Sequence, residues 1–407
     1  MLAFSPGTAN RPVRGEVIVL PDLADSAAFR TWLPQARGKF VAVSFPEPTC
    51  RPDSAWQSYA MAATWNKLRD GRSAARVAWA QRVMKTGANS RTLPVRLEEA
   101  GALGILTSSW PGGYGTTRVF DASTHRAPMF SLSCEDYGLV ARLAQNNDHP
   151  IVEASAEAEF LGDQPTFNVV GEIPGSQLPN EYVLLSAHLD SWDAGSGATD
   201  NGTGTVIMME AMRILKQVYP APRRTILVGH WDSEEQGLNG SRGFAADHPN
   251  VVQGMQALFN QDNGTGRVMN ISAVGLVNAS GNLARWLSQV PTDLIRDLRF
   301  GMPGMPASGG TDNASFSCAG TPAFGIGSSP YDYFAYTWHT GRDTFDKLNF
   351  DDVKINATLV AMLTYLASED AEQVSRVRRG VLPQGRGGQP GTWPECQQPM
   401  RTQPPAQ

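Results

Sequence analysis

Two histidines and several carboxylates stand at the ends of hydrophobic runs in the second half of this chain, a combination suited to holding divalent metal. The run VLLSA ends at His188 and Asp190 and passes into SWDAGSGATDNGTG, a glycine-rich stretch that carries Asp193 and Asp200. ILVGHW ends at Asp232, Glu234 and Glu235, and MQALFN ends at Asp262. A later stretch, YDYFAYTWHTGRDTFDKL, supplies His339 and Asp343. So many acids in one crevice would repel each other without a compensating positive charge, because buried charges must be paired or bind metal. The sequence offers no matching lysine or arginine nearby. Two imidazoles mixed with carboxylates are the ligand set of zinc, and a shared carboxylate would hold two ions about 3.5–4 Å apart.

These groups meet only if the runs that end in them are neighbouring strands of one sheet. EYVLLSA, RTILVGHW and GMQALFN are continuously apolar and are separated by helical patterns, which implies an α/β fold: a mainly parallel mixed sheet covered by helices on both faces. In such sheets ligands bind beyond the carboxyl ends of the strands. Between the first two runs, Val206, Met209, Met212, Leu215 and Tyr219 recur at three- and four-residue steps and predict a helix that buries that face. Glycine in the loop before it lets His188 and Asp200 bend toward the same ions.

Residues 1–160 have a different, α+β texture with no catalytic cluster. GEVIVL and KFVAVSF read as strands, with a short helix around Asp25 to Leu33 between them. Residues 53–87 read as helical, broken at Asp70-Gly71. Residues 161–377 hold the metal motifs. Residues 378–407 are rich in Pro, Gly and Gln and lack a hydrophobic period, so a disordered tail that adds little to a core is expected.

A chain of 407 residues suits two domains. A formal charge of −5 gives no basic footprint for nucleic acid and leaves small molecules or short peptides as partners. No apolar run reaches membrane-spanning length, and the first residues lack a signal-peptide pattern, which points to a cytosolic protein or to a missing true N-terminus. The four cysteines are scattered without zinc-binding spacing, so buried or free thiols are expected, with one disulfide as the alternative.

SAHLDSWDAGSGATDNGTG, DSEEQGLNGS, FNQDNGTGR and WHTGRDTFD, in that order, resemble the metal motifs of the co-catalytic di-zinc exopeptidases, over roughly residues 165 to 370. That family includes leucyl aminopeptidases and glutamate carboxypeptidases, and HLDSWD and EEQGL are most similar to its plasma glutamate carboxypeptidase (carboxypeptidase Q) subgroup. The resemblance implies two zinc ions, with His188 and Asp262 on one, Glu235 and His339 on the other, and Asp200 between them. It implies Glu234 as the general base that takes a proton from the attacking water, and Asp190 as the group that orients His188. GGTDNASF resembles a further family segment, with Asn313 where many members have histidine; Asp312 could support the ligands. A hydroxyl of Tyr331, Tyr333 or Tyr336 could reach the oxyanion, although a structural role is the simpler reading for each. His125, His149, His230 and His248 fall outside the motifs and are read as surface or packing residues.

RGKFVAVSF, EEAGALGILTSSW and APMFSLSCEDYGLVARLAQ resemble the protease-associated domain inserted in relatives, although the helical segment 53–87 departs from a compact version. Relatives carry peptidase-fold elements ahead of that insertion, so an N-terminally incomplete chain is expected. The whole implies a secreted or periplasmic zinc metallopeptidase, an aminopeptidase or dipeptidase acting on short peptides, and a homodimer. The alternatives are a catalytically silent receptor-like or truncated member of the same fold, and a zinc acyltransferase of the glutaminyl cyclase kind, which works with one zinc.

Overall fold

The computed structural model describes residues 1–384 and 388–401, and the chain divides into two compact units. The first is Met1–Gly162 with the short segments Trp192–Gly195 and Phe334–Arg342; the second is Asp163–Ser191, Ser196–Tyr333 and the chain from Asp343 on.

The first unit is built on a five-stranded sheet in the order β4-β3-β2-β1-β5. Its strands are β1 (Val13–Val19), β2 (Phe40–Ala42), β3 (Gly104–Thr107), β4 (Met129–Ser131) and β5 (Ile151–Ala154). The first four are parallel and β5 is antiparallel to β1. Asp25 caps the helix Ser26–Trp32 by accepting from the Ala27 and Ala28 amides at 2.9 Å. Asp70-Gly71 does not break the following helical segment: one helix runs Ala62–Lys85, and the interruption falls earlier, after Tyr59. A single glycine in a helix costs only about 1 kcal/mol relative to alanine, too little to divide a helix anchored further along by Arg72 and Trp79.

The second unit holds a seven-stranded sheet in the order β11-β10-β12-β9-β7-β8-β6. These are β6 (Val169–Ile173), β7 (Leu178–His188), β8 (Arg224–Trp231), β9 (Met255–Gln261), β10 (Val268–Ser272), β11 (Arg299–Gly301) and β12 (Ala323–Ser328). β7 is parallel to both β8 and β9, while β6 and β10 supply antiparallel pairings. Alternation along the strands feeds two cores. Val183, Leu185, Ile226 and Val228 pack with helices Thr203–Val218, Ala279–Leu287 and Phe350–Glu369; Leu184 and Leu227 pack on the other face with Phe244, Val251 and Phe316. The sheet is therefore mixed and covered on both sides.

Phe324 is fully buried, stacked on Phe259 at 5.8 Å and edge-on to Trp286 at 6.2 Å. Phe324→Ala is expected to destabilise the second unit by about 3–5 kcal/mol, read as a shift of its urea midpoint.

Three further expectations are corrected. In helix Thr203–Val218, Val206 and Met209 are exposed, and the buried face is formed by Ile207, Met208, Ala211 and Leu215. Both choices fit a 3.6-residue period, and contact with β7 selects the second. The cysteines are not free thiols: Cys50 bonds Cys134, and Cys318 bonds Cys396. Partners 84 and 78 residues apart leave no spacing signal. The tail is not without structure in its described part. Leu382–Gln384 pairs with Pro390–Gly391, Leu382 is buried, and Trp393 packs on the main core. A disulfide and one indole do there what periodicity does elsewhere. Residues 385–387 and 402–407 of the tail lie outside the described residues.

Candidate metal centre

Three neighbouring parallel strands deliver the site. His188 is the last residue of β7, paired with Trp231 at the end of β8; Glu234 and Glu235 follow β8, and Asp262 follows β9. A buried chain of hydrogen bonds fixes their alignment. Trp231 Nε1 donates to Ser186 Oγ at 2.8 Å, Ser186 Oγ to Asn260 Oδ1 at 2.7 Å, and Asn260 Nδ2 to Thr311 Oγ1 at 3.0 Å.

His188 is 1% exposed, and its Nδ1 stands 2.9 Å from the carbonyl oxygen of Asp190. That contact assigns the ring proton to Nδ1 and leaves the Nε2 lone pair turned toward Asp262 at 3.3 Å and Asp200 at 3.4 Å. Among the described residues, Nε2 has no hydrogen-bond partner. Burial opposes protonation of His188, yet the charge of Asp262 and the contacts with Asp190, Asp200 and Asp262 outweigh it and raise the imidazole well above its usual range. A buried imidazole nitrogen facing two carboxylates calls for a positive charge between them, a proton on Nε2 or, in its place, a metal ion. His188, Glu234 and Asp262 each bring one ligand atom within 4.8 Å of the others. One nitrogen and two carboxylate oxygens are the donors zinc takes, so these residues fit the ion.

Asp190 orients His188 through its backbone carbonyl, while its carboxylate has a second task. It accepts from the amides of Glu234 at 3.0 Å and Glu235 at 3.1 Å and so pins the loop that carries both. Ser233, just before them, is held at φ +57°, a strained setting that aims the next two side chains. Glu234 is largely buried; burial raises its carboxyl well above the usual range, His188 opposes this, and the charges of Asp262, Asp312 and Glu235 reinforce it.

Asp200 lies in the turn Ala198–Gly202 that enters helix Thr203–Val218. Gly197 has φ +62°, and a Cβ there would stand 2.6 Å from that of Ser191, so the turn needs glycine. Gly204 lets the helix approach β9, since its Cβ would meet the Gln261 carbonyl at 2.4 Å. Thr205 Oγ1 donates to His188 O at 2.8 Å, and Asn201 Nδ2 donates to Gln261 O at 2.9 Å, which ties the turn to β7 and β9.

The residue that sequence reasoning left without a role is Asp343. Its two oxygens accept from the Thr199 amide at 2.7 Å and the Asp200 amide at 2.9 Å, fixing the backbone that presents Asp200. It lies in the HTGRDTFD segment, but a bond to a distant backbone leaves no mark in residue spacing. Asp343→Ala is expected to weaken zinc binding about 10- to 100-fold in a chelator competition, the usual cost of removing a group that supports a ligand.

Asp312 is fully buried, and burial pushes its carboxyl up to about 7, against the opposing influence of His188 and Ser241 and with reinforcement from Asp262 and Asp190. Asn313 donates to Ala323 O at 3.3 Å, and Tyr331 is tied to Asp352 at 2.8 Å. Tyr333 is buried; burial and then the charges of Asp200, Asp262 and Asp343 raise its hydroxyl well above its usual range, so of the three tyrosines proposed for the oxyanion this one is surrounded by site acids. Tyr336 and His339 belong to the Phe334–Arg342 segment of the first unit. There the His339 ring packs on Trp338 and Phe120, and its carbonyl accepts from the Val119 amide at 2.7 Å. Of the other histidines, His230 is buried, and His149 is exposed and bonded to Glu16 at 2.7 Å.

Strand-end acids around a buried imidazole on a mixed α/β sheet make a candidate metal site. Residues 168–364 match the model of Peptidase family M28. Carboxypeptidase Q of Rattus norvegicus is 29% identical over 251 residues, 62% of this chain and 52% of its own length. The chain thus spans about half the length of the curated relatives it matches. Among solved structures, a Peptidase M28 precursor from Shewanella amazonensis SB2B aligns with a TM-score of 0.68 at 22% identity, covering 93% of this chain and 79% of that one. BSAP, a zinc aminopeptidase from Bacillus subtilis, aligns at 0.56 and 18% identity, covering 92% and 80%. Both show a shared fold.

Proposed function

We propose that this chain is a zinc-dependent exopeptidase that removes single residues from short peptides, an aminopeptidase or dipeptidase. The observation that carries the proposal is the His188 Nε2 lone pair buried among Asp200, Asp262 and Glu234, a cation site at the carboxyl edge of the sheet. His188 and Asp262 would hold one zinc ion and Glu235 and His339 a second, with Asp200 available to both. Zinc in such a site supplies Lewis acidity toward water and the scissile carbonyl. Glu234 takes the proton of the attacking water and passes it to the leaving amine. Asp190 holds the His188 ring and the Glu234 loop in register, and Asp343 holds the Asp200 turn.

The protein works in a secreted or periplasmic setting. No described cysteine is free, and two structural disulfides suit an oxidising compartment. Among the described residues no helix is long and apolar enough to cross a membrane.

Hydrolysis of free and N-acetylated dipeptides, with zinc and after chelation, tests the reading. Cleavage of the free peptides that is lost on chelation and restored by zinc is expected. Equal turnover of N-acetylated peptides would overturn the aminopeptidase form, and inertness of zinc-loaded folded protein toward all of them would overturn the enzyme.

A further inference from the structure

We propose that the first unit carries a second, non-catalytic binding site for a free apolar α-amino acid, in a cavity at the carboxyl ends of β2 and β3. The cavity measures about 460 Å³, within the range of small-ligand sites. It lies where parallel α/β sheets place ligands, with Ser44 and Phe45 following β2 and Ser108 to Trp110 following β3.

Its outer wall is the helix Ala62–Lys85. This helix has 24 residues but buries only Arg72 and Trp79, which is a poor face for packing a core. Positions 72, 76, 79 and 83 fall on one side of a helix, and Arg76, Trp79 and Val83 line the cavity. A helix recruited for stability alone would fill that space with aliphatic side chains, since voids forfeit contacts. This one turns a basic and aromatic face toward it.

The charged groups state what the cavity takes. Glu47 lines it and is almost buried; Arg76 donates to Glu47 Oε1 through Nε at 2.9 Å and through Nη2. Arg72, 7% exposed, donates through Nη1 to Asp53 at 2.7 Å and faces Glu47 Oε2 from Nε at 3.5 Å, while its guanidinium lies 5.9 Å from the Trp110 ring centroid. Its Nη2 has no hydrogen-bond partner among the described residues. Arg72 stands behind the lining residues and shares Glu47 with Arg76; of the two arginines it is Arg76 that lines the cavity, and its guanidinium suits a carboxylate. Glu47 in turn suits an ammonium. Because Glu47 and Arg76 touch, the two charges of the ligand must sit next to each other, as on the α-carbon of a free amino acid and not at opposite ends of a peptide. The aromatic rings of Phe45, Trp79 and Trp110 receive its apolar side chain. The Cys50–Cys134 bond anchors the loop that carries Glu47.

The lining residues of the cavity are not among the proposed metal ligands, and its test can be read apart from hydrolysis. Calorimetric titration of the full chain with L-phenylalanine and L-leucine should show saturable binding. N-acetyl-L-phenylalanine and L-phenylalaninamide should each bind at least about tenfold more weakly, because each lacks one charge. Ser90→Trp, at an exposed position of the rim, should abolish binding by filling the cavity while leaving the thermal midpoint in place. Glu47→Gln should narrow the preference for the free amino group. No saturable heat up to about 10 mM, equal affinity for the N-acetylated compound, or binding that survives Ser90→Trp would each overturn the proposal. The last would place the ligand elsewhere, at the metal centre of the second unit for example.

Discussion

Replacing Glu234 with glutamine is expected to lower kcat by about 10²- to 10⁴-fold while the protein stays folded and keeps its zinc. The substitution keeps the shape of the side chain and one carbonyl oxygen but removes the group that accepts a proton. The backbone amide of Glu234 remains bound to Asp190, so the loop does not depend on the charge that is lost. Parallel measurements of kcat and of zinc per chain separate two roles, because the Glu234 carboxylate also lies within ligand distance of His188 and Asp262. Turnover lost with zinc retained assigns the base. Zinc lost together with turnover would make Glu234 a ligand and leave the base unassigned.

His188→Ala is expected to have the larger effect on the metal. The imidazole is the only nitrogen donor that β7, β8 and β9 direct to the His188, Glu234 and Asp262 group, and its removal leaves buried carboxylates facing each other across the space it occupied. Loss of at least one zinc ion per chain and of more than about 10³-fold in kcat/KM should follow. The conservative control is Thr205→Val, which removes only the hydroxyl that braces the His188 carbonyl and should leave zinc bound. Equal zinc content in His188→Ala and the parent protein would remove His188 from the ligand set.

The candidate metal site was legible because its parts are chemically conspicuous and stand after strands with a strong hydrophobic signal. His188, Glu234, Glu235 and Asp262 stand at strand ends where the runs of apolar residues stop. The mixed sheet with helices on both faces followed from the same runs. What supports the ligands was much less legible. Asp343 acts on the amides of Thr199 and Asp200, and the Asp190 carboxylate on those of Glu234 and Glu235; a bond to a backbone amide demands no particular residue type at the far end. The buried face of helix Thr203–Val218 was displaced for a related reason. Val206 and Met209 satisfy the same period as Ile207 and Met208, and only the position of β7 distinguishes them. Residues 53–87 read as helical because their apolar residues recur at helical steps, yet the inward face of Ala62–Lys85 is set by Arg72 and Trp79. The disulfides escaped because pairing across about eighty residues is a property of the fold and not of the spacing.

Zinc content per folded chain, measured by elemental analysis after dialysis against metal-free buffer and again after zinc is restored, tests the proposed metal centre most directly. Close to two ions per chain in the restored sample, falling below one in His188→Ala, is the predicted result. A monodisperse, folded protein that holds no zinc in either sample would contradict the metal centre and with it the proposed hydrolysis.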